Sequence, residues 1–291
     1  MISINTNNGG LFAAKAASQS QATIDSAMQR LSTGSRINNA KDDAAGQAIA
    51  TRLTAEIQGL EIASRNVADG QSLVDTAEGA LQETHTLLLR MREIGVQAAN
   101  GTLSTSDNQA LDAEFQQLVK EIDRIAQNTT WAGAALLNGD AAGAEDSTAT
   151  FSFQAGVGNN SGADVFSVTV KNADSTTLDV FVASSSDATV NDVNLLSQTS
   201  AGSAITAVDA AIATVSSERA NLGAVSNRMA STMANLDQIR VNLTASKGRI
   251  ADADFAAETA NLAKGQILQQ AATAMLAQAN ASKQQVLTLI R

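Results

Sequence analysis

Residues 268–289, LQQAATAMLAQANASKQQVLTL, repeat their apolar positions in alternating steps of four and three, the spacing of a coiled-coil seam. The seam positions are Leu268, Ala272, Met275, Ala279, Ser282, Val286 and Leu289. Residues 11–31 carry a second heptad of small residues, on Ala14, Ala17, Gln21, Ile24, Met28 and Leu31. Because short isolated helices are marginal in water, we predict that the two ends pair with each other and then with neighbouring copies. This pattern is typical of a chain that polymerises.

The composition favours long helices and disfavours several classes of protein. The 291 residues contain no Pro, which breaks helices, and no Cys, which excludes a disulfide scaffold, thiol catalysis and thiolate metal sites. A formal net charge of −10 argues against binding of nucleic acid or of an anionic membrane surface.

The N-terminal residues MISINTN have neither the basic region nor the apolar region of a secretory signal peptide. No stretch of the sequence approaches the ~18 apolar residues of a membrane span. We therefore expect no membrane insertion. The chain belongs either in the cytoplasm or on an export route that reads no cleavable signal.

The apolar pattern predicts two long helices and one of intermediate length between the terminal helices. The first long helix begins at Asp42-Asp43, good N-cap and first-turn residues, and ends at Asn100-Gly101. Ser106 or Asp107 caps the next helix, and a loop follows over 128–143. The second long helix begins near residue 201 and ends at the break around 252–255.

Between about 144 and 199 the sequence becomes rich in Ser, Thr, Asp, Asn and Gly. Short alternating runs at Thr150–Gln154, Val165–Val170 and Leu178–Val182 predict small strands separated by Gly/Asn turns. The expected product is a hairpin or small sheet that needs a helix to pack on.

The predicted fold is thus mostly α, with coiled-coil rods formed by the two halves of the chain and a small β insert between them. The expected divisions are 1–43 and 251–291 for an inner coiled coil, 44–143 and 200–250 for a rod domain, and 144–199 for the insert.

Two segments carry a resemblance to a known family. Residues 30–49, RLSTGSRINNAKDDAAGQAI, closely resemble the N-terminal signature of bacterial flagellin. Residues 249–258, RIADADFAAE, resemble its C-terminal counterpart, as do 266–270, QILQQ, and 284–287, QQVL. The resemblance covers about 1–140 and 200–291, in the order of the family, and leaves the centre unmatched.

The resemblance implies a structural subunit of the flagellar filament. The terminal helices would line a central channel, with Ile24, Met28, Leu31, Leu268, Met275, Val286 and Leu289 in the assembly seam, and the β insert would face outward. It also implies extracellular localisation, type III export with a secretion chaperone, and contacts with filament cap and junction proteins.

Enzyme chemistry finds little support in the sequence. The lone His85 has no second ligand at metal spacing, and Asp252 and Asp254 are better explained as a helix-break cap than as a metal pair. We predict no catalytic, metal or cofactor-binding residues and no cofactor.

Two further surfaces follow from the resemblance. Arg90, Ile94 and Glu114 fall on positions that in flagellins contact neighbouring protofilaments and the vertebrate innate receptor Toll-like receptor 5. Outward residues of flagellins are often O-glycosylated, and the candidates here are Ser147, Thr148, Ser175, Thr176, Thr177 and Ser184.

Two alternatives stay open at this point. The hook–filament junction protein has ends that resemble flagellin, although the match over 30–49 favours flagellin itself. A receptor's cytoplasmic signalling rod would need a membrane span or sensor domain, and the sequence shows neither.

Overall fold

The structure is a computed structural model that describes residues 6–138, 148–158, 160, 162, 164–180 and 193–289, the last five without their side chains. Within these residues the helices are α1 (Asn8–Thr33), α2 (Ala44–Ala98), α3 (Thr105–Asn128), α4 (Gln198–Ala251) and α5 (Phe255–Leu289). The strands are β1 (Thr130–Trp131), β2 (Ala134–Ala135), β3 (Thr148–Gln154) and β4 (Val165–Lys171), paired as β1–β2 and β3–β4. The mostly α fold with a small β insert is confirmed.

The chain divides into two compact units. The terminal unit consists of Met1–Gln58 and Arg240–Arg291, and the central unit is Gly59–Ile239. The terminal unit therefore contains both ends of the sequence, whereas the central unit is continuous.

In the terminal unit α1 and α5 pack side by side in opposite directions. Three contacts define the register: Asn7 donates to Asn280, Gln269 donates to Gln21, and Arg30 donates to Glu258. The side chains buried between the helices are mostly small: Ala13, Ser20, Ile24, Ala27 and Ala272. Small residues at the seam let the two helices approach closely, as the heptads predict.

The segment after α1 is tied to the segment between α4 and α5. α1 ends at Gly34, which adopts the left-handed conformation with φ +70°, a conformation that favours glycine. Beyond it, the Arg36 N–H donates to the Ala251 carbonyl at 2.7 Å, and the Ala253 N–H donates to the Gly34 carbonyl at 2.9 Å. These bonds join the two ends of the chain where α1 and α5 meet their linkers.

The central unit is built on two heptad seams. Four α2 side chains seven residues apart are fully buried, and so are five from α4: Val67, Val74, Leu81 and Leu88, and Ala201, Val208, Val215, Leu222 and Met229. α3 adds Phe115 and Ile122 to the same core. An apolar position repeated every seven residues keeps one face of each helix packed within the central unit.

The β3–β4 hairpin lies in the central unit with one face inward. Phe166, Val168 and Val170 of β4 are buried, and every second residue between them is exposed. The guanidinium of Arg228 lies over the Phe166 ring, 4.3 Å from its centroid. This cation–π contact holds the hairpin against α4.

Three local predictions were wrong. The loop predicted over 128–143 contains the short antiparallel ladder of β1 with β2. α3 is capped by Ser104, not by Ser106 or Asp107: the Ser104 hydroxyl accepts from the Asp107 N–H while the Asp107 carboxylate accepts from the Ser104 N–H. The strand predicted at Leu178–Val182 is a turn over its described residues, with Asp179 at φ +56°. Residues 181 and 182 lie outside the described part of the chain.

Candidate assembly surfaces

The terminal helices leave large apolar side chains in water. Phe12 is 75% exposed, Ile267 65%, Leu11 63% and Met275 57%. The exposure of several large apolar side chains on one helical pair favours association with another molecule.

The predicted assembly seam is only partly buried within one chain. Ile24 is buried against α5 and Leu31 is half-buried, whereas Met28, Leu268 and Met275 are exposed. The side chains of Val286 and Leu289 lie outside the described residues. The exposed members therefore leave apolar surface that another molecule can cover.

α1 and α5 approach each other closely at Gly265. A Cβ atom added there would lie 2.8 Å from Cγ1 of Ile24, which is too close. Two turns of α5 away, the Arg30–Glu258 ion pair, 2.9 Å from Nη1 to Oε1, is partly shielded, with the Glu258 side chain mostly buried. This ion pair and the close approach at Gly265 add to the hydrogen bonds that fix the register of the two helices.

A groove runs along one face of the α1–α5 pair. We call it the α1–α5 groove. Its floor is made of small side chains, and its main part has a volume of about 390 Å³. A second depression of about 300 Å³ continues it to Arg30 and Glu258, sharing Gln19, Thr23 and Asn261 with the first. Lys264 lies along the groove, and Leu268 and Met275 stand at its edge.

The second predicted surface is organised around an ion pair. Arg90 on α2 donates from Nη2 to Oε1 of Glu114 on α3 at 2.8 Å and from Nη1 to Glu93 at 3.0 Å. The hydrogen bonds to Glu114, and then those to Glu93, raise the pKa of Arg90 above its ordinary value. Ile94, in contrast, is 1% exposed. The structure brings Arg90 and Glu114 together at the surface but packs Ile94 into the core.

The candidate glycosylation residues differ in accessibility. Thr176 and Thr177 are exposed, Thr148 is half-buried at the start of β3, and Ser175 is 1% exposed. Ser147 and Ser184 lie outside the described residues. Of the described candidates, Thr176 and Thr177 are thus the ones that present their hydroxyls to solvent.

Sequence reasoning missed several acidic residues that accept backbone hydrogen bonds. Asp112 and Asp123 of α3 accept the N–H groups of Leu195 and Ser175 at 2.8 and 2.9 Å, and the buried Glu218 accepts the Lys171 N–H at 3.2 Å. These carboxylates anchor segments of the insert to α3 and α4. The positions of these acidic residues along their helices do not predict the hydrogen bonds, because the N–H donors are distant in sequence.

Over the described residues, no helix is long and apolar enough to cross a membrane, and no group of three or more His, Cys, Asp or Glu could hold a metal ion.

A chain whose two ends form one helical unit with an exposed apolar surface, and whose middle holds a small hairpin, has the architecture of a self-assembling filament subunit. The family model for the bacterial flagellin N-terminal helical region matches residues 4–142, and that for the bacterial flagellin C-terminal helical region matches 205–290. The chain belongs to the bacterial flagellin family.

Individual relatives agree with this assignment. Flagellin of Halalkalibacterium halodurans is 43% identical over 91% of both chains, and flagellin of Bacillus subtilis is 42% identical over 99% of both. A solved structure described as a flagellar hook-associated protein from Vibrio parahaemolyticus has a TM-score of 0.58 at 15% identity, covering 72% of this chain and 100% of that one. That likeness concerns the fold alone and does not favour the junction-protein alternative. The chain is a subunit of the flagellar filament used for motility.

Proposed function

We propose that the chain is exported and then polymerises outside the cell through its α1–α5 pair. The observation that carries this proposal is the exposure of Leu11, Phe12, Ile267 and Met275 on the two terminal helices. Burial of such side chains between copies contributes about 25 cal/mol per Å² of apolar surface removed from water. Many identical contacts along a filament make this term large.

The test is assembly of the purified protein after heating, cooling and seeding with fragments of its own filaments. Electron microscopy of long filaments with a central channel is the expected result. Protein that stays monomeric in the presence of seeds, or that forms only short caps on added hooks, would contradict the proposal and support the role of a hook–filament junction protein.

The further partners proposed are those of the export and assembly route. They are the type III export apparatus, a secretion chaperone, and the filament cap and junction proteins. The resemblance over residues 30–49 and 249–258 supports them. The test is to delete the chain's gene from its host and then to reintroduce it. The reintroduced gene should restore the protein in the culture medium of a host with an intact export apparatus, but not in a host that lacks the apparatus.

We infer a structural role without catalysis, cofactor or metal, supported by membership of a structural protein family.

Recognition of the free subunit by Toll-like receptor 5 is a separate proposal, supported by the exposed Arg90–Glu114 pair. In receptor-reporter cells, R90A and E114A monomers should each be weaker agonists than the unmodified protein.

O-glycosylation is proposed at Thr176 and Thr177, and intact-mass and peptide mass spectrometry of native filaments would detect it.

A further inference from the structure

The turn between α2 and α3 contains an asparagine followed by a glycine, Asn100-Gly101. A glycine that follows a helix usually adopts the left-handed conformation. Gly101, however, is not among the described residues with positive φ. A Cβ atom added to it would meet its nearest non-adjacent atom, Oε1 of Gln198, at 3.7 Å, an ordinary van der Waals distance. Neither the backbone conformation nor the packing of the turn therefore requires a glycine at this position.

The reactive groups of this pair are open. Asn100 and Gly101 are both exposed, and the Gly101 N–H donates to no backbone carbonyl in the part of the chain that the structure describes. Oδ1 of Asn100 accepts the N–H of Thr102 at 3.3 Å. This hydrogen bond closes a ring of atoms that includes both the side-chain carbonyl carbon of Asn100 and the nitrogen of Gly101. The two atoms are thereby held on the same side of the turn.

We propose that Asn100-Gly101 is a site of spontaneous deamidation in the folded chain. The Gly101 nitrogen loses its proton to solvent and attacks the side-chain carbonyl carbon of Asn100. The new C–N bond closes a cyclic imide, and the side-chain nitrogen leaves as ammonia after taking up a proton from solvent. Water then opens the imide at either of its two carbonyl carbons and gives aspartate or isoaspartate. The net change consumes water, releases ammonia and replaces a neutral amide by a carboxylate.

Two features of the turn promote the cyclisation. Gly101 has no Cβ, so its nitrogen reaches the Asn100 side chain without steric hindrance. The Thr102 N–H already bonds Oδ1, the atom on which negative charge develops when the nitrogen adds to the carbonyl carbon. A hydrogen-bond donor held at a developing oxyanion lowers the barrier to such a step.

A second Asn-Gly pair shows what the turn contributes. Asn8 and Gly9 are also exposed, but both lie within α1. A helical backbone fixes φ and ψ of each residue, and closure of the imide needs a different ψ at the asparagine. The third pair of the chain begins at Asn138, and its glycine lies outside the described residues. Among the described pairs, Asn100-Gly101 is thus the one that is free of helical restraint.

The test is incubation of the purified, folded chain at mildly alkaline pH, where the attacking nitrogen loses its proton more readily. Peptide mass spectrometry should show replacement of the Asn100 amide by an acid, and methylation by an isoaspartate methyltransferase should label the same peptide. The N100S variant should lose both signals. Asn8 in the same digest should react about tenfold more slowly, because the helix has to open first. Equal rates at Asn8 and Asn100 would overturn the role of the turn.

G101A is the matched variant, since the added Cβ has room and the helix content measured by circular dichroism should not change. It should slow the loss of the Asn100 amide about tenfold, because the methyl group hinders the attacking nitrogen. Unfolding in urea should change the rate at Asn100 of the unmodified chain by less than about threefold, since the fold leaves the pair free to react. A rate in G101A equal to that of the unmodified chain, or a folded chain that keeps its Asn100 amide while the unfolded chain loses it, would refute the proposal.

Discussion

At the scale of single residues, two glycines in long helices have opposite roles. Gly265 of α5 allows the close approach of α1, because a Cβ there would lie 2.8 Å from Ile24. Gly223 of α4 has open space where a Cβ would be. Glycine inside a helix costs conformational entropy. The close packing of α1 offsets this cost at Gly265, whereas no contact offsets it at Gly223.

The Gly265→Ala and Gly223→Ala variants should therefore change stability in opposite directions. G223A should raise the free energy of unfolding of the central unit by about 0.5–1 kcal/mol, the usual helix advantage of Ala. G265A should separate α1 from α5, speed amide hydrogen exchange in α1 and weaken assembly. Denaturant unfolding and hydrogen-exchange mass spectrometry measure the two effects. Slower hydrogen exchange in α1 of the G265A variant would show that the packing of α1 on α5 does not depend on a glycine at this position.

Ser104 and Asp107 form a reciprocal cap at the start of α3. The Ser104 hydroxyl, then its N–H, hold the pKa of Asp107 below its usual value of 3.8. A carboxyl whose pKa is depressed by folding stabilises the native state above its ordinary pKa, and this contribution is lost as the pH falls through the folded value. Ser104→Ala should cost about 1 kcal/mol at neutral pH and return the Asp107 pKa upward, as an NMR titration would show. If Asp107 titrates unchanged in S104A, the cap is not the cause of its depressed pKa.

At the scale of elements, the α2 seam separates neighbouring leucines. Leu88 is fully buried on the seam, and the next residue, Leu89, is 44% exposed. Leu88→Ala should lower the free energy of unfolding by about 3 kcal/mol through lost burial and a cavity, whereas Leu89→Ala should change it by less than about 0.5 kcal/mol. Urea unfolding of the pair measures the difference. Similar losses of unfolding free energy in both variants would show that the face of α2 that carries Leu88 is not the buried seam.

The same seams explain how much of the fold was predictable. Heptads set the limits of the long helices closely, since burial along a helix repeats regularly over many turns. The α3 start was misplaced because residues 102–107, TLSTSD, offer several capping residues, and the reciprocal bonds with Asp107 select Ser104. Leu178 and Val180 alternate as in a strand, yet their burial comes from a turn whose Asp174 carboxylate accepts the Thr177 N–H.

The candidate surfaces were less predictable than the helices. The exposure of Met275 and the burial of Ile94 and Ser175 depend on which helices pack where, which the spacing along one helix does not determine. The α1–α5 groove likewise exists only after the two ends of the chain have met. Periodicity gives the face of a helix that packs, but not the shape of the surface left over.

At the scale of the whole molecule, the terminal unit depends on both chain ends, whereas the central unit is one continuous segment. Asn7 and Asn280 bond across almost the entire sequence, and closing so long a loop carries an entropic cost that shorter-range contacts within the central unit do not share. The central unit can therefore be stable when the terminal pair is broken.

Deletion of residues 268–291 tests this independence. The truncation removes most of the α5 surface that covers α1, including Gln269, Ala272 and Asn280, but no residue of the central unit. The thermal midpoint of the central unit should stay unchanged, and filament formation after seeding should be lost. A matched control is the full-length chain with Ala274→Ser, which alters an exposed position of α5 and keeps the pair. Truncated protein that still elongates seeds would show that α5 beyond residue 267 is dispensable for assembly, and a lowered midpoint would show that the two units are energetically coupled.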